Sequence, residues 1–307
     1  IRHRHWTLFT AANPAIPAGG IVGESKSEIL SRLSASNRVA PFVCAERRWS
    51  VDLQMTRVLS FMADHRIDFP VVCKPDAGER GKAVRSVTSP EDLRAYLGAA
   101  RVDTIVQQYI PGKEFGVFYY RYPGQKEGRI FAITDKLLPF VTGDGRSSIE
   151  HLILKDPRAV CQAPLHLEVH QNRLHEIPSA GEQVQLVSVG THCRGAVFLD
   201  GNRFITPSLT RTFDRISRRF KGFYFGRYDV RTEDPEAFKA GGDFKVLELN
   251  GVTSEGTHIY DPSNTLRNAW KTLMLQWKIA FEIGEANRHK GATALTAVQF
   301  LKLVFSK

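Results

Sequence analysis

The chain has 307 residues, enough for about two domains and for a core that needs no disulfide or metal staples. Hydrophobic residues make up 42% of it and charged residues 24%, which excludes disordered and fibrous classes, and no apolar run reaches the ~18 residues that a membrane span needs. The net charge of +10 favours an anionic partner: a nucleotide, a phosphorylated or carboxylated substrate, a nucleic acid or an acidic membrane surface.

Hydrophobic periodicity predicts a mixture of helices and strands, and therefore a mixed α and β protein. We expect an extended lead-in over residues 1–23, because this segment is rich in Ala, Pro and Gly. The helical pattern covers residues 27–33, 53–65, 90–97, 208–220, 265–283 and 295–305. The strand pattern covers residues 39–45, 71–74, 83–87, 105–110, 115–122, 130–138, 184–189, 196–199, 224–230 and 244–249, while residues 156–180 fit neither pattern.

The four cysteines stand singly in the chain, with no Cys-x-x-Cys pair and no histidine spacing typical of zinc: Cys44, Cys73, Cys161 and Cys193. We therefore expect reduced thiols in a cytoplasmic protein. Neither a signal peptide nor a lipidation motif is visible in the sequence.

The first segment whose residues suit binding or catalysis is PVVCKPDAGERGKAV, residues 70–84. It places Lys74 at the end of an apolar strand, followed by a loop that contains Gly78 and Gly81. A lysine in that position puts a cation into a cleft, and backbone N–H groups in a glycine-containing loop can approach a phosphate chain. The segment is neither a P-loop nor a dinucleotide fingerprint, and by itself it also fits an edge hairpin with a solvated lysine.

The second segment, IVQQYIPGKEFGVFYY at residues 105–120, has two strands around a tight Pro111–Gly112 turn, with Glu114 just beyond it. A carboxylate fixed there can accept hydrogen bonds from both hydroxyls of a ribose. The side chains of Tyr109 and Ile110 can form the sides of an adenine pocket. Taken alone, the segment favours a plain hairpin with a surface acid.

The third pattern combines FGRYDVR with KVLELN and supplies three oxygen-bearing side chains: Asp229, Glu248 and Asn250. Alternation along a strand places Glu248 and Asn250 on one face and Leu247 and Leu249 in a core, with Asp229 joining from a neighbouring strand. Two carboxylates and an amide oxygen suit magnesium that bridges phosphates, and they do not suit zinc. The alternative is a solvated sheet face whose acids pair with Arg227 or Arg231.

Taken in this order, the three patterns resemble the ATP-grasp superfamily of carboxylate–amine ligases over roughly residues 23–284. The segment VTGDGRSSIEHLI, residues 141–153, is similar to one in cyanophycin synthetases and glutathione-type ligases, and it favours the branch that also contains D-alanine–D-alanine ligase. The resemblance implies an α+β ATP-grasp fold in which two α+β subdomains clasp MgATP. We expect the lead-in over residues 1–23, the first subdomain over 24–110, the second subdomain with the metal site over 111–290, and an amphipathic tail over 291–307.

The resemblance also implies roles for the matching residues. Arg227 would stabilise an oxyanion and would share the catalytic role with Lys74. The magnesium ligands would be Asp229, Glu248 and Asn250. The residues that bind ATP would be Lys26, Lys74, Gly78, Gly81, Gln107, Tyr109, Ile110, Glu114 and Arg194.

Three departures from the family pattern bear on the ligands. Gln107 stands where the family often has a glutamate that accepts from the adenine amino group, but its amide oxygen can still accept. The segment GVTSEGTHIYDP after Asn250 lacks the D-alanine ligase pattern, so a pair of D-alanines is not the expected substrate, and His258 and Tyr260 are expected near the acceptor site. Only a short segment precedes Lys26, where the family usually has a further subdomain that forms part of the substrate pocket.

The predicted reaction is the ATP-dependent formation of an amide or peptide bond through an acyl phosphate, from a small-molecule or peptide carboxylate and an amine, with anionic substrates favoured by the net charge. Two alternatives stay open: a phosphotransferase that acts on a hydroxyl acceptor, and a nucleotide-binding module without catalysis. Peripheral membrane contact through residues 2–5 (RHRH) and the basic amphipathic end is a further expectation. No nucleic acid is expected, because no motif of that kind is present, and the oligomeric state is left open.

Overall fold

The computed structural model describes residues 5–78, 81, 83–187, 190 and 195–305. Its helices are α1 (Lys26–Ser34), α2 (Val51–Asp64), α3 (Pro90–Ala99), α4 (Ile149–Lys155), α5 (Ala163–Val169), α6 (Pro207–Arg219), α7 (Pro235–Lys239), α8 (Leu266–Arg288) and α9 (Ala297–Phe305). Its strands are β1 (Phe42–Ala45), β2 (Val71–Pro75), β3 (Arg85–Val87), β4 (Thr104–Gln108), β5 (Lys113–Tyr120), β6 (Arg129–Leu137), β7 (Phe140–Thr142), β8 (Gln183–Gln185), β9 (Val197–Asp200), β10 (Phe225–Thr232) and β11 (Lys245–Asn250).

The helices begin where the sequence offers a capping hydroxyl. A Ser or Thr side chain accepts the backbone N–H three residues further on at the start of six helices: Ser25, Ser50, Ser89, Ser148, Thr206 and Thr265. Such caps satisfy one of the backbone donors that a helix leaves unpaired at its first turn. All six helices predicted from the hydrophobic period are present, although α8 continues five residues beyond the predicted end at residue 283.

The strands form two main antiparallel sheets. The first sheet has the order β1-β4-β2-β3, the second has the order β11-β10-β5-β6-β9, and β7 and β8 form a separate pair. Helices α2 and α3 pack on the first sheet over a core that includes Met55, Val58 and Leu93. Helices α1 and α6 pack on the second sheet over a larger core. The predicted α+β class is confirmed, with one cleft between the two sheets.

The predicted strand over residues 39–45 is divided between the two sheets. Ala40 donates its N–H to the carbonyl of Val246, and Val246 donates to Arg38, so residues 38–40 run beside β11. Residues 42–45 then form β1 in the first sheet. This short segment therefore crosses from one sheet to the other.

The lead-in differs from its prediction. Residues 1–23 were expected to be extended, but 3-10 helices cover Leu8–Ala11 and Pro17–Gly19, and Leu8 is fully buried against α8. Asn13, also fully buried, donates to the carbonyls of Gly19 and Phe225 and accepts from the backbone N–H of Phe225. A composition rich in Ala, Pro and Gly predicted an irregular backbone, but it could not show that long-range contacts would fold that backbone into the core.

Two expectations from composition can be compared with the described residues. Cys44, Cys73 and Cys161 are free thiols, and Cys193 lies outside the described residues. Burial raises the pKa of Cys44 to about 11.

Among the described helices, including the 23-residue α8, none combines the length and apolar character that crossing a membrane requires.

Candidate active site

The cleft between the two sheets has a volume of about 600 Å³ and gathers most of the residues that the sequence singled out. Of the thirteen predicted site residues, twelve line it: Lys26, Lys74, Gly78, Gly81, Gln107, Tyr109, Ile110, Glu114, Arg227, Asp229, Glu248 and Asn250. The thirteenth, Arg194, lies outside the described residues. The roles assigned to these residues stay predictions.

Lys74 is the cation that links the two walls of the cleft. It lies in β2, is 6% exposed, and donates to the amide oxygen of Gln107 (3.0 Å) in the first sheet and to the carbonyl of Leu247 (2.9 Å) in the second. Burial lowers the pKa of Lys74 because the charged form loses water. The amide nitrogen of Gln107 donates to the carbonyl of Ala40 (3.2 Å), so its oxygen faces Lys74. An adenine amino group would have to share that oxygen.

Lys26 joins the glycine-containing loop to the opposite sheet. It is the first residue of α1, and its Nζ lies 2.6 Å from the carbonyl of Gly78 and 3.6 Å from Glu248 Oε1. The backbone N–H of Ser27 also donates to Asp76 Oδ1 (2.7 Å), which fixes the start of α1 beside the same loop. The two lysines predicted to contact phosphates therefore reach the same cleft from different elements.

A network of buried ion pairs forms the floor of the cleft. Lys136 Nζ lies 2.8 Å from Glu114 Oε1 and 3.0 Å from Asp229 Oδ1. Arg231 donates through Nε (3.1 Å) and Nη2 (3.0 Å) to Glu114 Oε2, and Arg227 Nε lies 3.0 Å from Asp229 Oδ1. Three cations thus surround two carboxylates, which leaves the network one positive charge in excess at neutral pH.

The pKa shifts follow from this excess of cations. Burial alone would raise the pKa of Asp229, but the charges of Arg227 and Lys136 lower it to about 2. Burial alone would lower the pKa of Lys136, but the carboxylates of Asp229 and Glu114 raise it. Asp229 and Lys136 are therefore both ionised over the physiological range of pH, and the excess of cations in the network suits the floor of the cleft to an anion.

Glu114 is the second residue of β5, just beyond the turn as predicted, and it is buried. Gly112 makes that turn with a φ of +91°, a conformation that favours glycine. A carboxylate offers about four acceptor positions, and the contacts of Lys136 and Arg231 take three of those on Glu114. A ribose hydroxyl at Glu114 would therefore share an oxygen with one of these cations.

Lys136 was not among the residues singled out in the sequence, and Arg231 was named there only as a possible partner of the acids. Arg231 also donates to the carbonyl of Ile110 (3.1 Å), and its guanidinium lies 5.5 Å from the centre of the Tyr109 ring. The sequence around each of these two residues contains a pattern that could have indicated its place in the site. Arg231 follows Asp229 by two positions and so shares its strand face, while Lys136 belongs to a polar run of three residues inside an otherwise apolar strand.

The three predicted magnesium ligands lie together on paired strands. Asp229 and Glu248 are directly opposite each other in the register of β10 and β11, and Asn250 Nδ2 lies 3.4 Å from Asp229 Oδ2. Among the described residues, no group of three or more His, Cys, Asp or Glu side chains converges on one point. Two carboxylates and one amide are the oxygen donors that a magnesium ion takes alongside phosphates and water. The described contacts of Asp229 with Arg227, Lys136 and Asn250 already use about four acceptor positions of its carboxylate, so a metal ion there would share oxygens with these groups.

A β-bulge shapes the same edge. The register passes from Asp229 opposite Glu248 to Val230 opposite Val246, so Leu247 is an extra residue in β11. The prediction that Leu247 points into the core is wrong: it lines the cleft, whereas Val246 and Leu249 are buried in the core. A bulge interrupts the alternation on which that prediction rested.

The end of the cleft beyond Asn250 is polar. Tyr260 donates to Glu255 Oε1 (2.6 Å), Arg227 Nη1 donates to the carbonyl of Glu255 (3.2 Å), and Glu255 and Tyr260 both line the cleft. His258 was predicted near the acceptor site, but it is not one of the described residues that line the cleft. Burial lowers the pKa of His258.

No protein-family model and no curated protein sequence matches the chain. Among solved structures, it is similar to a bifunctional glutathione synthetase from Pasteurella multocida, with 18% identity and a TM-score of 0.39 over 81% of this chain and 35% of that one. It is also similar to a D-Ala:D-Ser ligase from Enterococcus faecalis (12% identity, TM-score 0.47, 86% and 61% covered) and to a D-alanine–D-alanine ligase from Bacillus anthracis (12%, 0.49, 87% and 69%).

The chain therefore spans about a third of the first of these proteins and less than two thirds of the second.

Proposed function

We propose that the protein is an ATP-dependent carboxylate–amine ligase that forms an amide or peptide bond through an acyl phosphate. One observation carries the proposal: Lys26 and Lys74 meet the oxygen ligands of β10 and β11 across a single cleft. A nucleotide triphosphate needs both kinds of group at once, since cations bind its phosphates and hard oxygen ligands hold its metal.

The nucleotide phosphates would lie between Lys74 and the ion-pair network. The ammonium of Lys74 is almost free of water, so its attraction to a phosphate is screened less than it would be at the surface. The positive excess on Lys136 and its neighbours adds to this attraction. Magnesium held by Asp229, Glu248 and Asn250 would neutralise charge that develops on the transferred phosphoryl group.

Arg227 is the residue that we assign to the second half of the reaction. In the first half, a substrate carboxylate oxygen attacks the γ-phosphorus and ADP leaves. The amine then attacks the acyl carbon, and the tetrahedral oxyanion collapses with the loss of phosphate and a proton. The described contacts of Arg227 use three of its five N–H donors, so two are left to stabilise that oxyanion.

The charges that line the cleft bear on the acceptor substrates. Among the described residues, five cations and five acids line it, so these charges balance one another. The cations are Lys26, Lys74, Lys136, Arg227 and Arg231, and the acids are Glu24, Glu114, Asp229, Glu248 and Glu255. The cationic groups suit an anionic carboxylate substrate, while Glu255, at the end beyond the metal ligands, suits an incoming amine.

The direct test is a screen for phosphate release with amino-acid pairs and short peptides in the presence of MgATP. We expect ADP, phosphate and an amide in equal amounts, with the amide detected by mass spectrometry. A phosphorylated hydroxyl compound without free phosphate would identify a phosphotransferase instead. D-Alanine is included as a comparison, and efficient formation of its dipeptide would contradict the substrate prediction from GVTSEGTHIYDP.

MgATP is expected to raise the melting temperature of the protein. A ligand that binds only the folded state at a hundredfold excess over its Kd adds about 2.7 kcal/mol, or roughly 5 °C for a chain of this size. Differential scanning fluorimetry with and without MgATP, supported by calorimetric titration, measures the effect. An unchanged melting curve and a flat titration at millimolar MgATP would contradict the nucleotide site.

Replacing Arg227 by Lys is expected to impair the chemistry more than ATP binding. Lysine keeps the positive charge but not the planar fork of donors, and the loss of one donor to an oxyanion typically costs about 3 kcal/mol, or about a hundredfold in rate. The measurement compares kcat for amide formation with the Kd for MgATP. A matching loss of affinity, with turnover per bound ATP intact, would make Arg227 a nucleotide ligand.

A further inference from the structure

The first half of α8 lies at the surface of the protein. None of its residues 266–275 is buried, and burial begins only at Gln276. At 1.5 Å per residue, about 15 Å of helix is therefore free of the core on its outer side. A helix in this position is usually covered with polar side chains.

This part of α8 instead carries an apolar stripe. Leu266, Trp270 and Met274 follow each other at four-residue intervals and are 76%, 60% and 66% exposed. Side chains at this spacing lie one above another on the same face of a helix. Leu266, Trp270 and Met274 together are named the α8 stripe. Large side chains exposed together in this way mark an interaction surface.

Cations run along one edge of the α8 stripe. Arg267 and Lys271 each follow a stripe residue by one position, and both are exposed. No Asp or Glu occurs between residues 266 and 281. The exposed face therefore combines large apolar side chains with positive charge and has no acid of its own.

The short helix α9 has the same character. None of its residues is buried, and Val298, Leu301 and Phe305 form its outer apolar stripe beside the exposed Lys302. Its inner side is held near α8 by Phe9, whose ring lies 5.8 Å from Phe300 and 5.2 Å from Trp277. The α9 stripe is thus a second surface of the same chemistry, close to the base of α8.

We propose that the α8 stripe binds reversibly to an anionic lipid surface, with the α9 stripe as a second contact. Apolar side chains would enter the boundary between headgroups and acyl chains, while Arg267 and Lys271 would pair with lipid phosphates and carboxylates, as in interfacial amphipathic helices. Charge favours this occupant over a second copy of the chain, because the same face of a second copy offers these cations no acid. The proposal does not depend on the ligase activity.

The test is cosedimentation of the full chain with vesicles of phosphatidylcholine alone and of phosphatidylcholine mixed with phosphatidylserine. We expect binding to the mixed vesicles that weakens as salt is added, and little binding to phosphatidylcholine alone. Trp270→Ser with Met274→Ser is expected to reduce the affinity about tenfold or more, and Arg267→Glu with Lys271→Glu is expected to do the same.

Matched controls change equally exposed residues elsewhere. Val169→Ser with Ile177→Ser removes two exposed apolar side chains, and Arg211→Glu with Arg215→Glu reverses two exposed charges on α6. Both control variants are expected to bind like the wild type, and all variants are expected to melt within a few degrees of it because none of the changed residues is buried.

Three results would overturn the proposal. The first is the absence of binding to the mixed vesicles at low salt. The second is binding that the control variants reduce as much as the stripe variants do. The third is self-association without lipid binding, seen by analytical ultracentrifugation and lost in Trp270→Ser, because it would assign the stripe to contacts between copies of the chain.

Discussion

Glu248→Gln and Asn250→Ala are each expected to reduce turnover with MgATP by about a hundredfold or more while the fold survives. Each change removes or weakens an oxygen ligand opposite or beside Asp229, at an edge where the nucleotide metal would be held. Neither change removes core volume, because the Glu248 side chain is 29% exposed and Asn250 is half-buried at the cleft.

The measurement is the initial rate of phosphate release over a range of magnesium concentrations, with the melting temperature as the test of folding. Glu168→Gln is the matched control, because it makes the same change at an exposed position on α5. Activity like that of the wild type in both variants, at ordinary magnesium concentration, would contradict the metal assignment. Loss of the fold in both would show that these residues serve the sheet itself.

Lys136→Met is expected to lower the free energy of unfolding by about 3–5 kcal/mol. Lys136 is 6% exposed and lies between Glu114 and Asp229, so its removal leaves two buried carboxylates with less positive charge around them. Methionine fills a similar volume, and the expected loss therefore reports mainly on charge. Urea denaturation of both proteins, analysed with a shared m-value, measures the difference.

Arg94→Met is the control for Lys136→Met. Arg94 pairs with Asp52 at 2.6 Å, but both side chains are more than half exposed, and such a pair contributes at most about 1 kcal/mol. Equal losses in Lys136→Met and Arg94→Met would mean that the network is as well solvated as a surface pair.

The sequence was informative wherever a pattern is local. Helix periods, capping hydroxyls and the alternation of β10 and β11 depend on neighbours within a few residues. Six of the nine described helices, ten of the eleven described strands and twelve residues of the cleft could therefore be predicted, whereas α4, α5, α7 and β7 were not. The order of the three motifs along the chain also led us to expect that their residues line one cleft. The boundaries proposed for the subdomains stay a prediction.

The remaining features depend on distant parts of the chain. The contacts of Lys136 require β6, β5 and β10 to lie side by side in the second sheet. No local sequence pattern predicts that strand order. The bulge at Leu247 depends on the partner strand as well as on β11 itself. The fold of the lead-in depends on the contact of Asn13 with the carbonyl of Phe225, more than two hundred residues away. Each of these is a property of the pairing between segments.

The double attachment of Lys74 makes a second contact with an anion an exchange reaction. Its ammonium has three N–H donors, and the oxygens of Gln107 and Leu247 take two of them. An anion can bind the third donor directly, but at either of the other two it gains only the difference between its own bond and the bond that it replaces. A charged phosphate oxygen forms a bond roughly twice as strong as a neutral oxygen does, whereas an uncharged ligand gains almost nothing. Lys74 therefore discriminates between ligands more by their charge than by their shape. Because the carbonyl that it would release belongs to β11, the exchange is mechanically linked to the strand that carries Glu248 and Asn250.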